Sequence, residues 1–248
     1  MVTNSKRVTR CSQAMAELRR LELVSSTHEK QESVVQTIAV LGVGRVGSAV
    51  ARTALAAGYD TRVAGSGAAE DIELLAEIVI PGARAMTATD AVSDADLVVV
   101  AVPLSKYRSV DASMLAGKTV VDAMNYWPPV DGQIADFEED IASTSEVVSR
   151  YFSGSRVVKT LNHIGYHELE DDGAPSGTAG RRALAIASDD EAAAAAVQDV
   201  LDRFGFDTVY AGPLATGRAF EPGTAIFNGA FSQNDLLREL ELNLHPTH

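Results

Sequence analysis

From residue 34 onward, short apolar runs alternate along the chain with stretches in which apolar residues recur at helical spacing. The apolar runs predict strands over residues 37–41, 61–64, 85–88, 95–102, 118–123, 156–161, 182–187 and 207–211. Helices are predicted between them over residues 48–57, 71–80, 90–93 and 191–204. The run over 95–102 is continuously apolar, which is typical of a strand buried on both faces of a parallel sheet. The pattern therefore predicts an α/β fold with a doubly wound parallel sheet.

The composition divides the chain into three parts. Residues 1–33 mix charged and hydroxyl side chains, with one short helical pattern over 13–24, and we expect a flexible extension there. Residues 34–152 hold the first five predicted strands and form the expected first domain. Residues 153–248 are too few for a large independent domain, so we expect them to extend the sheet and to cap its substrate side.

A glycine motif lies between the first predicted strand and the first predicted helix. Gly42, Gly44 and Gly47 have the spacing G-x-G-x-x-G, and this strand–helix order is the context that a dinucleotide-binding (Rossmann) site requires. Gly42 allows a tight turn, Gly44 lets the backbone approach a pyrophosphate, and Gly47 lets the helix pack closely on the strand. The free N–H groups of residues 42–47, including Val43, Arg45 and Val46, then face the phosphates.

The end of the second predicted strand indicates which dinucleotide binds. It runs into Gly65, Ser66 and Gly67, without the acidic residue that usually bonds the ribose hydroxyl of NAD. Ser66 and the neighbouring N–H groups can donate to a 2′-phosphate, so NADP is favoured. The alternative is that Ser66 is only a turn residue. Arg45 is the candidate cation for the pyrophosphate.

Ligands of such sheets lie beyond the carboxyl ends of the strands. Val102, Pro103 and Leu104 follow the fourth predicted strand, and Asn125 follows the fifth, so these residues are expected to line the cofactor groove. Asn125 and Asn162 are candidates to hold a nicotinamide carboxamide, and each is also a common turn residue.

His163 is the candidate proton donor, because an unperturbed histidine titrates near neutral pH. The alternative is a histidine whose ring is satisfied by the backbone. His163 and His167 are four residues apart, but Gly165 lies between them and no helical metal motif is present, so we expect no metal site.

Charge and cysteine content limit the classes of partner that we expect for this chain. The net charge is −13 and no basic patch is evident, which disfavours nucleic acid and anionic membranes as partners. Cys11 is the single cysteine, and the chain has neither an apolar run long enough for a membrane span nor an apolar signal segment. We expect a cytoplasmic protein that acts on a small molecule. Leucines at helical spacing over 235–244 predict either a dimer helix or a docked amphipathic tail. We expect the protein to form a homodimer.

Several short motifs occur together in one order: the glycine motif, Gly65-Ser66, Ala101-Val102-Pro103, residues 122–125, residues 158–164 and residues 211–214. In this order they resemble the NADP-dependent oxidoreductase family that uses the deazaflavin coenzyme F-420. The same domain type is similar to the cytosolic part of six-transmembrane metalloreductases. The resemblance spans residues 38–223, and the stretches 126–129 and 165–169 look like a bacterial branch of the family.

The resemblance implies NADPH on the glycine motif and a 2′-phosphate at a Ser-Arg pair, of which this chain matches Ser66 but has Gly67 in place of the arginine. It also implies a nicotinamide near Pro103 and Asn125, with a deazaflavin beside residues 161–164. A hydride would then pass from NADPH to F-420 or to a flavin-like ring. Two other functions fit the same nucleotide domain: a reductase of a small carbonyl or imine, which needs a proton donor, and a nucleotide sensor without chemistry.

Overall fold

The computed structural model describes residues 35–138 and 142–244. The flexible extension predicted for residues 1–33 lies outside the described residues. The described part contains one sheet of eight strands, and its strands are β1 (Thr37–Leu41), β2 (Asp60–Ala64), β3 (Arg84–Ala85), β4 (Leu97–Val100), β5 (Thr119–Asp122), β6 (Arg156–Lys159), β7 (Ala183–Ser188) and β8 (Asp207–Gly212).

The α-helices are α1 (Arg45–Ala56), α2 (Glu70–Val79), α3 (Ala88–Ser93), α4 (Pro128–Asp131), α5 (Ala135–Glu138), α6 (Thr144–Tyr151), α7 (Tyr166–Asp171), α8 (Glu191–Phe204) and α9 (Gln233–Leu244). Short 3₁₀ helices cover Leu104–Ser109, Ala112–Leu115 and Leu214–Phe220. Within the described residues, no helix is long and apolar enough to cross a membrane.

The strand order is β3-β2-β1-β4-β5-β6-β7-β8. The first six strands are mutually parallel, β7 runs antiparallel to β6, and β8 runs parallel to β7. The predicted α/β class and the mainly parallel, doubly wound sheet are therefore confirmed. Alternate residues of each strand enter separate hydrophobic cores on the two faces: Ile38 and Val40 pack on one face, and Ala39 and Leu41 on the other.

Element boundaries differ from the prediction where local chemistry ends a strand early. The third strand stops at Ala85 because Thr87 turns the chain and accepts the N–H of Asp90, which starts α3. The predicted strand over 156–161 stops at Lys159, and Leu161 then takes a left-handed backbone conformation with φ 63°. Helix α1 begins at Arg45, three residues earlier than predicted, because Gly44 already serves as its N-cap.

Strand β7 extends the sheet in a direction that the hydrophobic pattern did not reveal. Lys159 pairs with Ala187 and Val158 with Ser188, so only the last residues of β7 lie beside β6. The first residues of β7, from Ala183, therefore project beyond the carboxyl end of β6. With β8 beside it, β7 forms a wall above the edge where the parallel strands end.

Helix α9 closes the outer face of β7 and β8. Leu236 and Leu240 are buried in a third hydrophobic cluster with residues of both strands. Leu237 and Leu242 stay exposed on the other side of the helix. The helix is thus a docked amphipathic element, and the homodimer stays a prediction.

Candidate functional site

The glycine motif forms the turn between β1 and α1, at the carboxyl edge of the sheet. Gly42 has φ 108°, a conformation that side chains disfavour, and its N–H donates to the carbonyl of Ala64 at the end of β2. A Cβ on Gly42 would lie 2.6 Å from the carbonyl oxygen of Ala101, which follows β4. The turn is therefore held against two neighbouring strand ends, and glycine is required for its first residue.

The other two glycines have opposite surroundings. A Cβ on Gly47 would lie 1.8 Å from the carbonyl oxygen of Gly42, so the helix packs on the turn only without a side chain. A Cβ on Gly44 would meet nothing within 4 Å. Gly44 is exposed, and the open space beside it is where the backbone can approach a phosphate. Each glycine thus has the surroundings that its predicted role requires.

The first turn of α1 presents unsatisfied donors to this open space. Gly44 caps the helix without a side-chain hydrogen bond, and the first turn contains no acidic residue to oppose an anion. Arg45 is exposed and lies over the ring of Tyr166, 5.8 Å from its centroid. Val43 and Val46 are half-buried against the core, so they contribute backbone rather than side chains to the surface.

A carboxylate lies beside the strand end that was expected to receive a 2′-phosphate. Ser66 and Gly67 are exposed, as predicted for a phosphate-binding turn. However, Asp71 at the start of α2 turns back and accepts the N–H of Ala68 at 3.0 Å. A Cβ on Gly67 would lie 2.4 Å from that carboxylate. Sequence reasoning gave this acid no role, because it follows the strand end by several residues.

The ends of β4 and β5 form the next part of the edge. Val102 is half-buried and Pro103 is exposed, as expected for groove residues. Leu104 differs from the prediction: its side chain is 2 % exposed and packs in the hydrophobic core, because it begins the 3₁₀ helix that covers one face of the sheet. Asn125 is half-buried at the edge.

Asn125 and Asn162 come together across the ends of β5 and β6. The Asn125 amide donates to the carbonyl of Asn162 at 2.6 Å, and the Asn162 amide donates to Oδ1 of Asn125 at 3.1 Å. The Asn162 amide also donates to the carbonyl of Phe220, and the residue is 3 % exposed. Asn162 is therefore fully used inside the protein, which does not fit a direct contact with substrate. Asn125 is also bonded to Asn162 through both groups of its amide, but the residue is only half-buried.

His163 is buried and both of its ring nitrogens have partners. Nε2 accepts the N–H of Ala185 in β7 at 3.0 Å, so the proton lies on Nδ1, which is 3.2 Å from Oδ1 of Asn162. Burial, and to a smaller extent the positive charges of Arg182 and Lys159, together lower the pKa of His163 to about 3. The ring is neutral near pH 7 and links the segment after β6 to β7. This geometry contradicts the proton-donor hypothesis and fits the alternative of a satisfied histidine.

A buried ion pair lies directly below the edge. Lys159 at the end of β6 and Asp122 at the end of β5 are register partners in neighbouring strands. Nζ of Lys159 is 3.4 Å from Oδ2 of Asp122, and both side chains are at most 1 % exposed. Sequence reasoning placed both residues in strands but did not predict that they pair. The single signal was a lysine in the apolar run over 156–161.

Aromatic side chains lie around the same edge. Trp127, two residues after Asn125, is 46 % exposed and meets the ring of Phe227 edge-on, with 6.0 Å between centroids. Tyr166 stacks obliquely on His167 at 4.3 Å. These rings give the edge flat apolar surfaces that can pack against a planar ligand.

Arg181 and Arg182 lie directly before β7, and both are paired with acidic residues of the fold. Arg181 is buried and bonded to Asp202 and Asp207. Arg182 is also buried, and it bonds to Asp172 at 2.6 Å. Both guanidinium groups are thus neutralised within the fold.

Part of the chain is similar to a known protein family. Residues 37–126 match the family model of the coenzyme F-420-dependent NADP oxidoreductases. This range contains the glycine turn, the Ser66 turn and the ends of β4 and β5. The predicted resemblance is confirmed, and with it the prediction of an NADP-dependent oxidoreductase. No curated protein matches the chain.

Solved structures share the fold along most of the chain. A hypothetical protein from Sinorhizobium meliloti is 25% identical, with 80% of this chain and 96% of that chain covered and a TM-score of 0.69. A proposed F-420-dependent NADP reductase from an Arthrobacter species is 26% identical, with 80% and 100% covered and a TM-score of 0.65. A pyrroline-5-carboxylate reductase from Streptococcus pyogenes, at 15% identity, 71% and 58% coverage and a TM-score of 0.51, shares the fold alone.

Proposed function

From the match of residues 37–126 to the coenzyme F-420-dependent NADP oxidoreductases, we propose that this protein transfers hydride between NADPH and a planar ring acceptor, F-420 or a flavin-like ring. The observation that carries the proposal is the glycine turn, in which Gly42 and Gly47 have no room for a side chain and Gly44 faces open space. This combination serves a backbone that contacts phosphate closely.

The residues at the edge fit a dinucleotide along its whole length. The backbone N–H groups of residues 42–47 hold the pyrophosphate, with Arg45 beside it. Ser66 and Gly67 receive the adenosine end. Pro103, which is exposed, and Asn125, which is half-buried, hold the nicotinamide end.

A ring acceptor agrees with the protein groups available at the edge. Bound nicotinamide supplies the hydride, and a deazaflavin or flavin ring takes it up together with a solvent proton, so no protein acid is required. Reduction of a small carbonyl or imine needs a positioned proton donor. His163, the candidate for that role, is buried and neutral, with its pKa lowered to about 3 by burial. The ring acceptor is therefore the better supported substrate.

Trp127 is the side chain best placed to contact the acceptor. It follows Asn125 closely, is about half exposed, and its ring is braced edge-on by Phe227. An exposed indole at this position offers a flat apolar face to a planar ring.

The proposal includes a cytoplasmic location and a homodimer. Light scattering of the purified protein measures whether it forms a dimer.

The test is the oxidation of NADPH by the purified protein in the presence of oxidised F-420, followed by the fall of the deazaflavin absorbance. NADH in place of NADPH, and FMN or a cyclic imine in place of F-420, run in parallel. Bleaching that depends on NADPH supports the proposal. Turnover with the imine alone would replace it with the carbonyl or imine reductase, and tight NADPH binding without any turnover would favour the sensor.

A further inference from the structure

The buried pair Asp122–Lys159 makes an unusual set of contacts with a single residue, Met124. Oδ1 of Asp122 accepts the N–H of Met124 at 3.0 Å. Nζ of Lys159 donates to the carbonyl of the same residue at 2.5 Å. Both backbone polar groups of Met124 are thus held by charged side chains, in a segment that has already left the strand pairing of β5.

The rest of the pair's surroundings supports this geometry. Ser145 in α6 donates its hydroxyl to Oδ2 of Asp122 at 2.5 Å, so the carboxylate is fixed from a second element. A Cβ on Gly217 would lie 3.3 Å from Cγ of Lys159, so the 3₁₀ helix above the lysine stem has little room for a side chain there. Two elements outside the two strands therefore shape the position of this pair.

Stability alone is a weak reason for such a pair. Taking two charges out of water costs free energy, and apolar residues of similar volume often stabilise a core equally well. Charged groups do, however, fix a backbone more rigidly than apolar packing, because their hydrogen bonds are directional and strong. The segment fixed here leads directly into Asn125, whose amide is in turn tied to Asn162.

We propose that Asp122 and Lys159 are positioning residues, which hold Met124 so that Asn125 presents its amide to the nicotinamide end of NADPH. The inference rests on the proposed function, since it assigns the nicotinamide to Asn125. The pair contacts neither the glycine turn nor Ser66. Its effect is therefore confined to one end of the dinucleotide.

The test compares two ligands that differ at that end. NADPH contains the nicotinamide, whereas 2′,5′-ADP contains only the adenosine and phosphate end. In the double variant Asp122→Asn with Lys159→Met, both charges are removed together, so neither is left unpaired. We expect NADPH affinity to fall by about tenfold or more, and 2′,5′-ADP affinity to change by less than about twofold. Equal losses for both ligands, or no loss for either, would overturn the inference.

A milder variant keeps the test valid if the double variant does not fold. Ser145→Ala removes only the hydroxyl that fixes Asp122, and we expect the same selective loss of NADPH affinity at a few-fold. Ser188→Ala is the matched control, because Ser188 is also fully buried and donates its hydroxyl to the carbonyl of Val157, away from Met124. We expect no selective loss in the control. A selective loss in Ser188→Ala as large as that in Ser145→Ala would also overturn the inference.

These outcomes are distinct from failure of the proposed function. Wild-type protein that binds both ligands but reduces no ring acceptor would refute the acceptor and leave the binding comparison decisive for the pair. Wild-type protein that binds neither ligand would refute the proposed function, and the inference would fall with it.

Discussion

Replacing Gly44 and Gly47 separately by alanine distinguishes binding from folding within one turn. A Cβ on Gly44 enters open space, and the residue has φ −73°, which alanine adopts freely. Alanine is a poorer N-cap than glycine, but it also restricts the unfolded chain, and the two effects nearly cancel. We expect Gly44→Ala to change the free energy of unfolding by less than about 0.5 kcal/mol, and Tm by less than about 2 °C.

The same methyl group stands where a phosphate must approach the backbone. Loss of one hydrogen bond to a charged phosphate costs about 1.5–3 kcal/mol, so NADPH affinity should fall by about tenfold to a hundredfold. Isothermal titration calorimetry of wild type and variant measures this change. Unchanged NADPH affinity in Gly44→Ala would refute the assignment of the glycine turn to the pyrophosphate.

Gly47→Ala, in contrast to Gly44→Ala, is expected to lower the stability of the protein. Its Cβ would lie 1.8 Å from the carbonyl oxygen of Gly42. Because Gly42 is hydrogen-bonded to the end of β2, this oxygen cannot move away without a large cost in free energy. Overpacking at such a contact outweighs the gain in helix propensity, so we expect a loss of about 2 kcal/mol and a Tm lower by about 4–8 °C. A Gly47→Ala protein as stable as wild type would show that the helix does not pack on the turn in this way.

Three further predictions follow from the edge of the sheet. Because the folded-state pKa of His163 is about 3, below the usual 6.5, the unfolded chain alone takes up that proton as pH falls, and stability is lost from about pH 6.5 downward by about 1.4 kcal/mol per pH unit. Urea unfolding at pH 7 and pH 5 should show this extra loss in wild type and not in His163→Gln; equal losses would contradict it. Asp71→Asn should raise the preference for NADPH over NADH by about threefold to tenfold, because it removes a negative charge beside the turn expected to bind the 2′-phosphate. Glu73→Gln, in the same helical turn, should change this preference less, and equal shifts in both variants would refute a local effect. Trp127→Ala should raise KM for the ring acceptor by about threefold to tenfold and leave KM for NADPH unchanged, and Trp127→Phe should restore the lower KM for the acceptor. A rise in both KM values would count against contact with the acceptor.

The hydrophobic pattern predicts the sheet well because each parallel strand is buried on both faces. The strand Thr37–Leu41 and the helix Glu191–Phe204 have the predicted limits. The helix begins after Asp190, which accepts the N–H of Ala193, and ends at Gly205 in a left-handed conformation. Signals of this kind depend on residues that are close together in the chain, so the sequence alone is enough to predict them.

The parts that the sequence did not reveal depend on contacts between distant residues. Asp122 and Lys159 are 37 positions apart and meet through the register of β5 and β6. The environment of His163 depends on Ala185, which reaches it only because β7 runs antiparallel and projects beyond β6. Register and strand direction decide whether a polar residue faces a groove or a core partner, and neither is visible in periodicity.

The strand order has a consequence for how the chain assembles during synthesis. With the order β3-β2-β1-β4-β5-β6-β7-β8, no strand has to enter between two strands that precede it in the chain and are already paired. Each later strand, from β4 to β8, adds to a free edge left by earlier ones. The N-terminal part of the chain leaves the ribosome first, so the sheet can form outward as each later strand emerges. The growing chain therefore never needs to break the hydrogen bonds between two strands that have already paired.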